Sequence, residues 1–246
     1  MSAANSISGA GKSAHKRAKT QTSLALWPVA LIVIIAVVNG GGGVRYGLAN
    51  LLVQLSAIIL LAFNRAAFFK FWREAPIPLR ALVAASLALP AIHLVPLPTE
   101  LSISLPGRET VRQSLDLIGS ERWFPASVDP ARTLVALTGL ILPVTLLAVG
   151  WSLSTEQRVK LGWVLVGLGM LNVMVGIPQM LSSGQTGLMY PENPMPGVLF
   201  GTFANRNSTG LFLVAALTLA ALLPPFRAHK AFPILRIGIC VLLLLG

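Results

Sequence analysis

The sequence predicts an all-α fold, a polytopic transmembrane helix bundle of six full spans plus a truncated seventh, with a cytoplasmic N-terminus. Three observations predict it. Hydrophobic residues make up 54% of the 246-residue chain and charged residues only 11%, too few to cover a water-soluble domain. The mean hydropathy is +0.75, and the apolar residues fall in runs suited to membrane helices. The net charge of +11 is spread over short loops between these runs. That pattern argues for orientation in a bilayer and against nucleic acid as a partner.

Residues 1–23 are small, polar and basic, with Lys12, Lys16, Arg17 and Lys19. They read as a disordered cytoplasmic tail, and 24–246 as the transmembrane domain. The tail carries a stretch, Gly9-Ala-Gly-Lys-Ser13, that looks like the end of a phosphate-binding loop. The motif's first glycine falls on Ser6 and no strand precedes it, so the P-loop is rejected.

The first apolar run, 24–38, opens with Trp27 and Pro28 and ends in Asn39 and four glycines. It lacks a small-residue cleavage pattern and is read as a retained helix rather than a signal peptide. Residues 44–63 make the second helix, with Gln54 in its middle. Residues 64–78 read as a short basic loop bearing Arg65, Lys70 and Arg73. The third helix, 79–96, is interrupted by Pro90 and carries His93, whose first reading is a side chain bonding a carbonyl freed by the proline.

The longest segment outside the membrane spans 97–130. Val111, Leu115 and Ile118 recur at helical spacing, predicting a short amphipathic surface helix over 109–118. Trp123 and Phe124 form an interfacial aromatic pair. Asp129 fits an N-cap and Pro130 the first helical position, so a fourth helix starts sharply and runs to about Trp151. A brief inner loop, 152–160, precedes a glycine-rich fifth helix over 161–181. Its Asn172 is read as structural glue to a neighbouring helix.

A second outer loop, about 182–204, is polar and proline-rich, and the sixth helix follows it to Leu223. The junction reads Gly-Thr-Phe-Ala-Asn-Arg-Asn-Ser from 201 to 208. Gly201 permits a tight turn, and Asn205, Asn207 and Ser208 are good caps. A helix N-terminus carries unpaired N–H groups, and Arg206 adds a full positive charge, a combination suited to a phosphate or diphosphate. The plain alternative is a capped helix with an interfacial arginine.

This Gly-Thr-Phe-x-Asn-x-Asn spelling at the start of a transmembrane helix resembles the O-antigen ligase and polymerase family, membrane enzymes that handle lipid-linked glycans. The Ser-x-Asp-Pro segment at 127–130 is similar to the same family. The resemblance covers roughly 97–246. It implies a donor glycan on a polyprenyl diphosphate and an acceptor hydroxyl, on lipid A core for a ligase or on a second lipid-linked repeat for a polymerase. Arg206, with Asn205, Asn207 and Gly201 around it, is the candidate for holding the diphosphate. Arg132 and Arg122 are further candidates on the same face. No catalytic base is assigned.

Neither metal nor cofactor is expected. Cys240 stands alone, and His15, His93 and His229 lack metal-ligand spacing. With the N-terminus inside, thirteen of the nineteen lysines and arginines lie on the inner side, as the positive-inside rule requires. Both polar loops then face outward, which in a bacterial inner membrane is the periplasm. The last apolar run ends at Gly246, short of a full span, so the chain is read as the front part of a longer protein. In the resembling family a Ser-Arg pair and a histidine-bearing loop come next. A transporter or a non-enzymatic scaffold are the competing classes. No apolar run carries a central acidic or basic residue of the kind a transporter uses.

Overall fold

The computed structural model describes residues 26–39, 47–118, 123–181, 197–225 and 231–246. The basic tail, the glycine run at 40–43, Arg122 and most of the second polar loop lie outside them. The described chain is mostly helical. In order it comprises α1 (Leu26–Val38), α2 (Gly47–Phe63), α3 (Arg65–Glu74), α4 (Ile77–His93), β1 (Pro96–Leu97), α5 (Thr99–Ile103), α6 (Glu109–Ile118) and β2 (Phe124–Pro125). It continues with α7 (Pro130–Gly139), α8 (Ile141–Trp151), α9 (Thr155–Leu181), α10 (Arg206–Leu222) and α11 (Phe232–Leu245).

Two helices are long and apolar enough to cross a membrane, α9 and the α7–α8 pair taken as one 22-residue helix. A third is present if α2 and α3, bent by 79°, count as one span. The other apolar helices, α1, α4, α10 and α11, are shorter. Large apolar side chains stand exposed along these helices and α2, among them Leu48, Leu82, Leu211 and Ile237. Such surfaces suit lipid rather than water.

The N-terminal boundaries follow from capping. Asp129 Oδ1 accepts the Arg132 N–H at 3.0 Å, with Pro130 in the first turn of α7. Asn205 Oδ1 accepts the Asn207 N–H at 2.8 Å and starts α10. The amphipathic helix expected over 109–118 is α6, with those bounds.

Two expected loops are helical instead. The basic loop over 64–78 is largely α3, because Ala67, Phe68, Phe71, Trp72 and Ala75 recur at helical spacing and pack on α8. The inner loop over 152–160 becomes the first turns of α9. There Ser154 and Gln157 cap each other: the Ser154 N–H donates to Gln157 Oε1 at 2.9 Å, and the Gln157 N–H to Ser154 Oγ at 3.2 Å.

The core has two centres. One gathers Val166 and Val173 of α9 with Leu213, Ala216 and Ala220 of α10 and Ile239 and Leu243 of α11. The other joins α1, α2, α3 and α4 to α8. Val33 and Val37 of α1, with Leu168 of α9, connect the two.

Glycines at seven-residue spacing make the α9–α10 contact close. A Cβ on Gly162 would stand 2.6 Å from Leu223 Cδ1, one on Gly169 2.7 Å from Ala216 Cβ, and one on Gly176 would run into Leu199. Small residues of this kind let helix backbones approach in a membrane.

The 97–130 segment folds on itself. Pro96 pairs with Pro125 and Leu97 with Phe124 in a two-residue antiparallel ladder. Arg108 is buried beneath it and donates from Nη2 to the carbonyls of Pro125 (2.9 Å) and Ala126 (2.5 Å). Arg108 therefore ties this segment together.

Candidate functional site

The junction between the second polar loop and α10 is held from below by α9. Gly201 adopts a left-handed backbone, φ +58°, which suits glycine far better than any other residue. Its N–H donates to Gln179 Oε1 at 2.8 Å, and its carbonyl accepts from Gln179 Nε2 at 3.0 Å. One side-chain amide thus satisfies both backbone groups of a buried turn.

One residue on, Asn172 Nδ2 donates to Thr202 Oγ1 at 2.7 Å. Asn172 acts as the glue its position predicts, and its partner is the turn before α10. Its Oδ1 is buried, without a hydrogen-bond partner, and faces Gly201 so closely that a Cβ there would collide with it. Thr209 closes the arrangement from within α10, donating from Oγ1 to the Phe200 carbonyl at 2.7 Å.

This scaffold is buried, whereas the groups it carries are exposed. Asn205, Arg206, Asn207 and Ser208 all face outward. No partner occupies the Arg206 guanidinium among the described residues. The first turn of α10, where the Asn205 cap takes the Asn207 N–H, and this guanidinium therefore share one end of the helix, an arrangement suited to an anion.

Beside it lies a cavity of about 430 Å³, lined by Asn39 of the α1 end, Asn50 and Gln54 of α2, Val135 and Ala136 of α7, and Phe203 and Ser208. Three carboxamides and a hydroxyl in an otherwise apolar wall offer both donors and acceptors. Gln54 Nε2 reaches Thr138 Oγ1 at 3.4 Å and Asn39 Nδ2 the Ile35 carbonyl at 2.9 Å. The cavity brings the second half of α7 and the start of α10 to one place, although they are far apart in sequence.

No family model, curated protein or solved structure matches the chain. The chemistry of the site rests on its own geometry.

Arg132 sits at the start of α7, one turn before the cavity-lining Val135. It is exposed and paired with Asp129, its Nε 3.1 Å from Oδ2. That ion pair lies on the surface and is easily exchanged for another anion. Arg122 falls outside the described residues. His93 is exposed at the end of α4, and its imidazole makes no hydrogen bond among the described residues; the backbone carbonyl accepts instead, from the Ser127 N–H at 2.8 Å.

Gln179, Thr202 and Thr209 escape a reading from sequence. Their roles depend on contacts between segments, and the amide of Gln179 looks like any other near a helix end. Asn39 and Gln54 leave a faint signal, as carboxamides at the end and in the middle of apolar runs.

Proposed function

We propose that this chain is a glycosyltransferase-type membrane enzyme, or the part of one that binds its donor, acting on a glycan carried by polyprenyl diphosphate. The acceptor is a lipid A core hydroxyl, as in O-antigen ligases. In this reading the chain is a polytopic inner-membrane protein with six full spans and a cytoplasmic N-terminus. The polar loops then face the periplasm.

One observation supports the reading above the others. The exposed Arg206, unpaired among the described residues, stands at the capped start of α10, on a turn fixed by Gln179 and Asn172, beside a cavity lined with carboxamides. A diphosphate leaving group needs positive charge and N–H donors that do not move as negative charge develops. The guanidinium fork and the first turn of α10 supply these. Hydroxyl-rich sugar suits the neutral amides of Asn39, Asn50 and Gln54. The apolar surfaces of α1, α2 and α7 suit a polyprenyl tail.

The test has a binding arm and a reaction arm. The chain in membranes is exposed to a photoreactive polyprenyl diphosphate, with polyprenyl-diphosphate-linked glycan or polyprenyl monophosphate as competitor. Saturable labelling displaced by the diphosphate glycan, and lost in Arg206→Ala, supports the reading. The protein in membranes is then assayed for glycan transfer to a lipid A core acceptor. Labelling that neither saturates nor responds to Arg206 overturns the site.

A further inference from the structure

A second cationic surface lies on α3, away from the start of α10. At Asn64 the chain turns by 79° between α2 and α3. α2 is 17 residues long and apolar, about 26 Å at ~1.5 Å per residue, and can run through the hydrocarbon. α3 then lies close to the bilayer plane. With Arg65, Lys70, Arg73 and Glu74 it has no place inside the hydrocarbon, and at the surface it has a natural one.

The two faces of α3 differ sharply. Phe71 and Ala75 are buried against α4 and α8, where the Phe71 ring meets Trp151 edge-on at 6.0 Å. On the opposite face Arg65, Ala66, Phe69, Lys70, Arg73 and Glu74 line a shallow hollow of about 380 Å³. Lys70 shares its charge with Glu74 at 3.8 Å. Arg65 and Arg73 have no ion-pair or hydrogen-bond partner among the described residues. Arg80 stands behind the helix and is already committed, donating from Nη1 to the Trp72 carbonyl at 2.6 Å.

Three cations and one acid leave the hollow positively charged. Two exposed apolar rings accompany these charges, Phe69 (54%) in the lining and Phe63 (86%) at the end of α2, two residues before Arg65. A soluble acidic partner would use the cations but leave the exposed rings in water. A two-part ligand, with a phosphate above and acyl chains beside it, uses both. We infer that this face of α3 is a binding site for an anionic phospholipid: Arg65, Arg73 and Lys70 hold the phosphate while Phe63 and Phe69 contact its chains. The inference stands on the packing of α3 and does not rest on the function proposed above.

The full chain, purified in detergent, is incubated with equimolar phosphatidylglycerol and phosphatidylcholine, and retained lipid is counted by native mass spectrometry. Three cations at a lipid surface predict a preference for phosphatidylglycerol of roughly tenfold or more. The preference should shrink as salt rises from 0.15 M towards 1 M, where the screening length falls from about 8 to about 3 Å. It should vanish in Arg65→Gln/Lys70→Gln/Arg73→Gln and survive in Arg65→Lys/Arg73→Lys. Should the triple variant fail to fold, the salt series on wild-type chain and the single Arg73→Gln variant decide. Equal retention of both lipids by the wild-type chain overturns the site, as does a preference untouched by the substitutions. Displacement by water-soluble glycerophosphoglycerol at equal concentration would show a free-anion site instead, and overturns the lipid assignment.

Discussion

Gln179 pairs with Gly201 through both ends of its carboxamide, donating to the carbonyl at 3.0 Å and accepting from the N–H at 2.8 Å. The two residues are 22 positions apart, and both are buried. The turn that precedes α10 therefore borrows its hydrogen bonds from α9. The same end of α9 supplies Gly176, against which Leu199 packs, and Asn172, which holds Thr202. The start of α10 is thus fixed in place by a neighbouring helix while its polar groups remain exposed.

Gln179→Leu keeps the volume and removes both partners of Gly201. Each buried backbone group left unpaired costs about 1–3 kcal/mol. The melting temperature of the detergent-solubilised chain should fall, and amide hydrogens over 199–206 should exchange faster. A melting temperature equal to wild type, with unchanged exchange in that segment, would show that the pair does not hold the turn.

Gly201→Ala tests the same turn from the other side. A left-handed alanine costs about 1–2 kcal/mol, and its Cβ would strike Asn172 Oδ1. The variant should be destabilised beyond the backbone term alone. Adding Asn172→Ala removes the side-chain part of the obstacle, though not the Asn172 backbone carbonyl at 2.8 Å, and should restore part of the loss, although it also removes the bond to Thr202. Strictly additive effects in the double-mutant cycle would deny the contact.

The positions of the helices were largely legible in the sequence, because caps and hydrophobic periodicity are local. Asp129 and Asn205 cap the helices they were expected to cap, and α6 has its expected bounds. α3 was hidden, since its arginines and lysine draw attention from the apolar stripe at 67, 68, 71, 72 and 75. The first turns of α9 were hidden by their charge in the same way. Of the candidate site, the exposed cation and the cap could be read locally. The fixing of Gly201 and the cavity could not, because they join residues from up to five separate helices.

Topology offers a direct check on the sequence's charge asymmetry. Reporter fusions at Lys70 and Arg158 should report the cytoplasm, and fusions at Gly107 and Gln185 the far side. An active cytoplasmic reporter at Gly107 would put α6 on the inner side and overturn the assignment of the site to the periplasm.

Arg206 is the residue on which the proposed chemistry depends most. It is exposed at the N-terminus of α10, beside the capping Asn205. Arg206→Lys keeps the charge but loses the planar fork that grips two phosphate oxygens, so donor binding should weaken partly. Arg206→Ala should weaken it severely, since a charge-assisted hydrogen bond is worth roughly 1.5–3 kcal/mol, or about 10- to 150-fold. If Arg206 instead only anchors the helix by reaching to the interface, lysine would serve as well as arginine. Alanine would then lower the amount of folded protein rather than its affinity. The measurement is labelling by the polyprenyl diphosphate probe and transfer rate, each normalised to folded protein in the membrane. Wild-type binding per folded molecule in Arg206→Ala would remove Arg206 from the site, leaving the turn at Gly201 with a purely structural role.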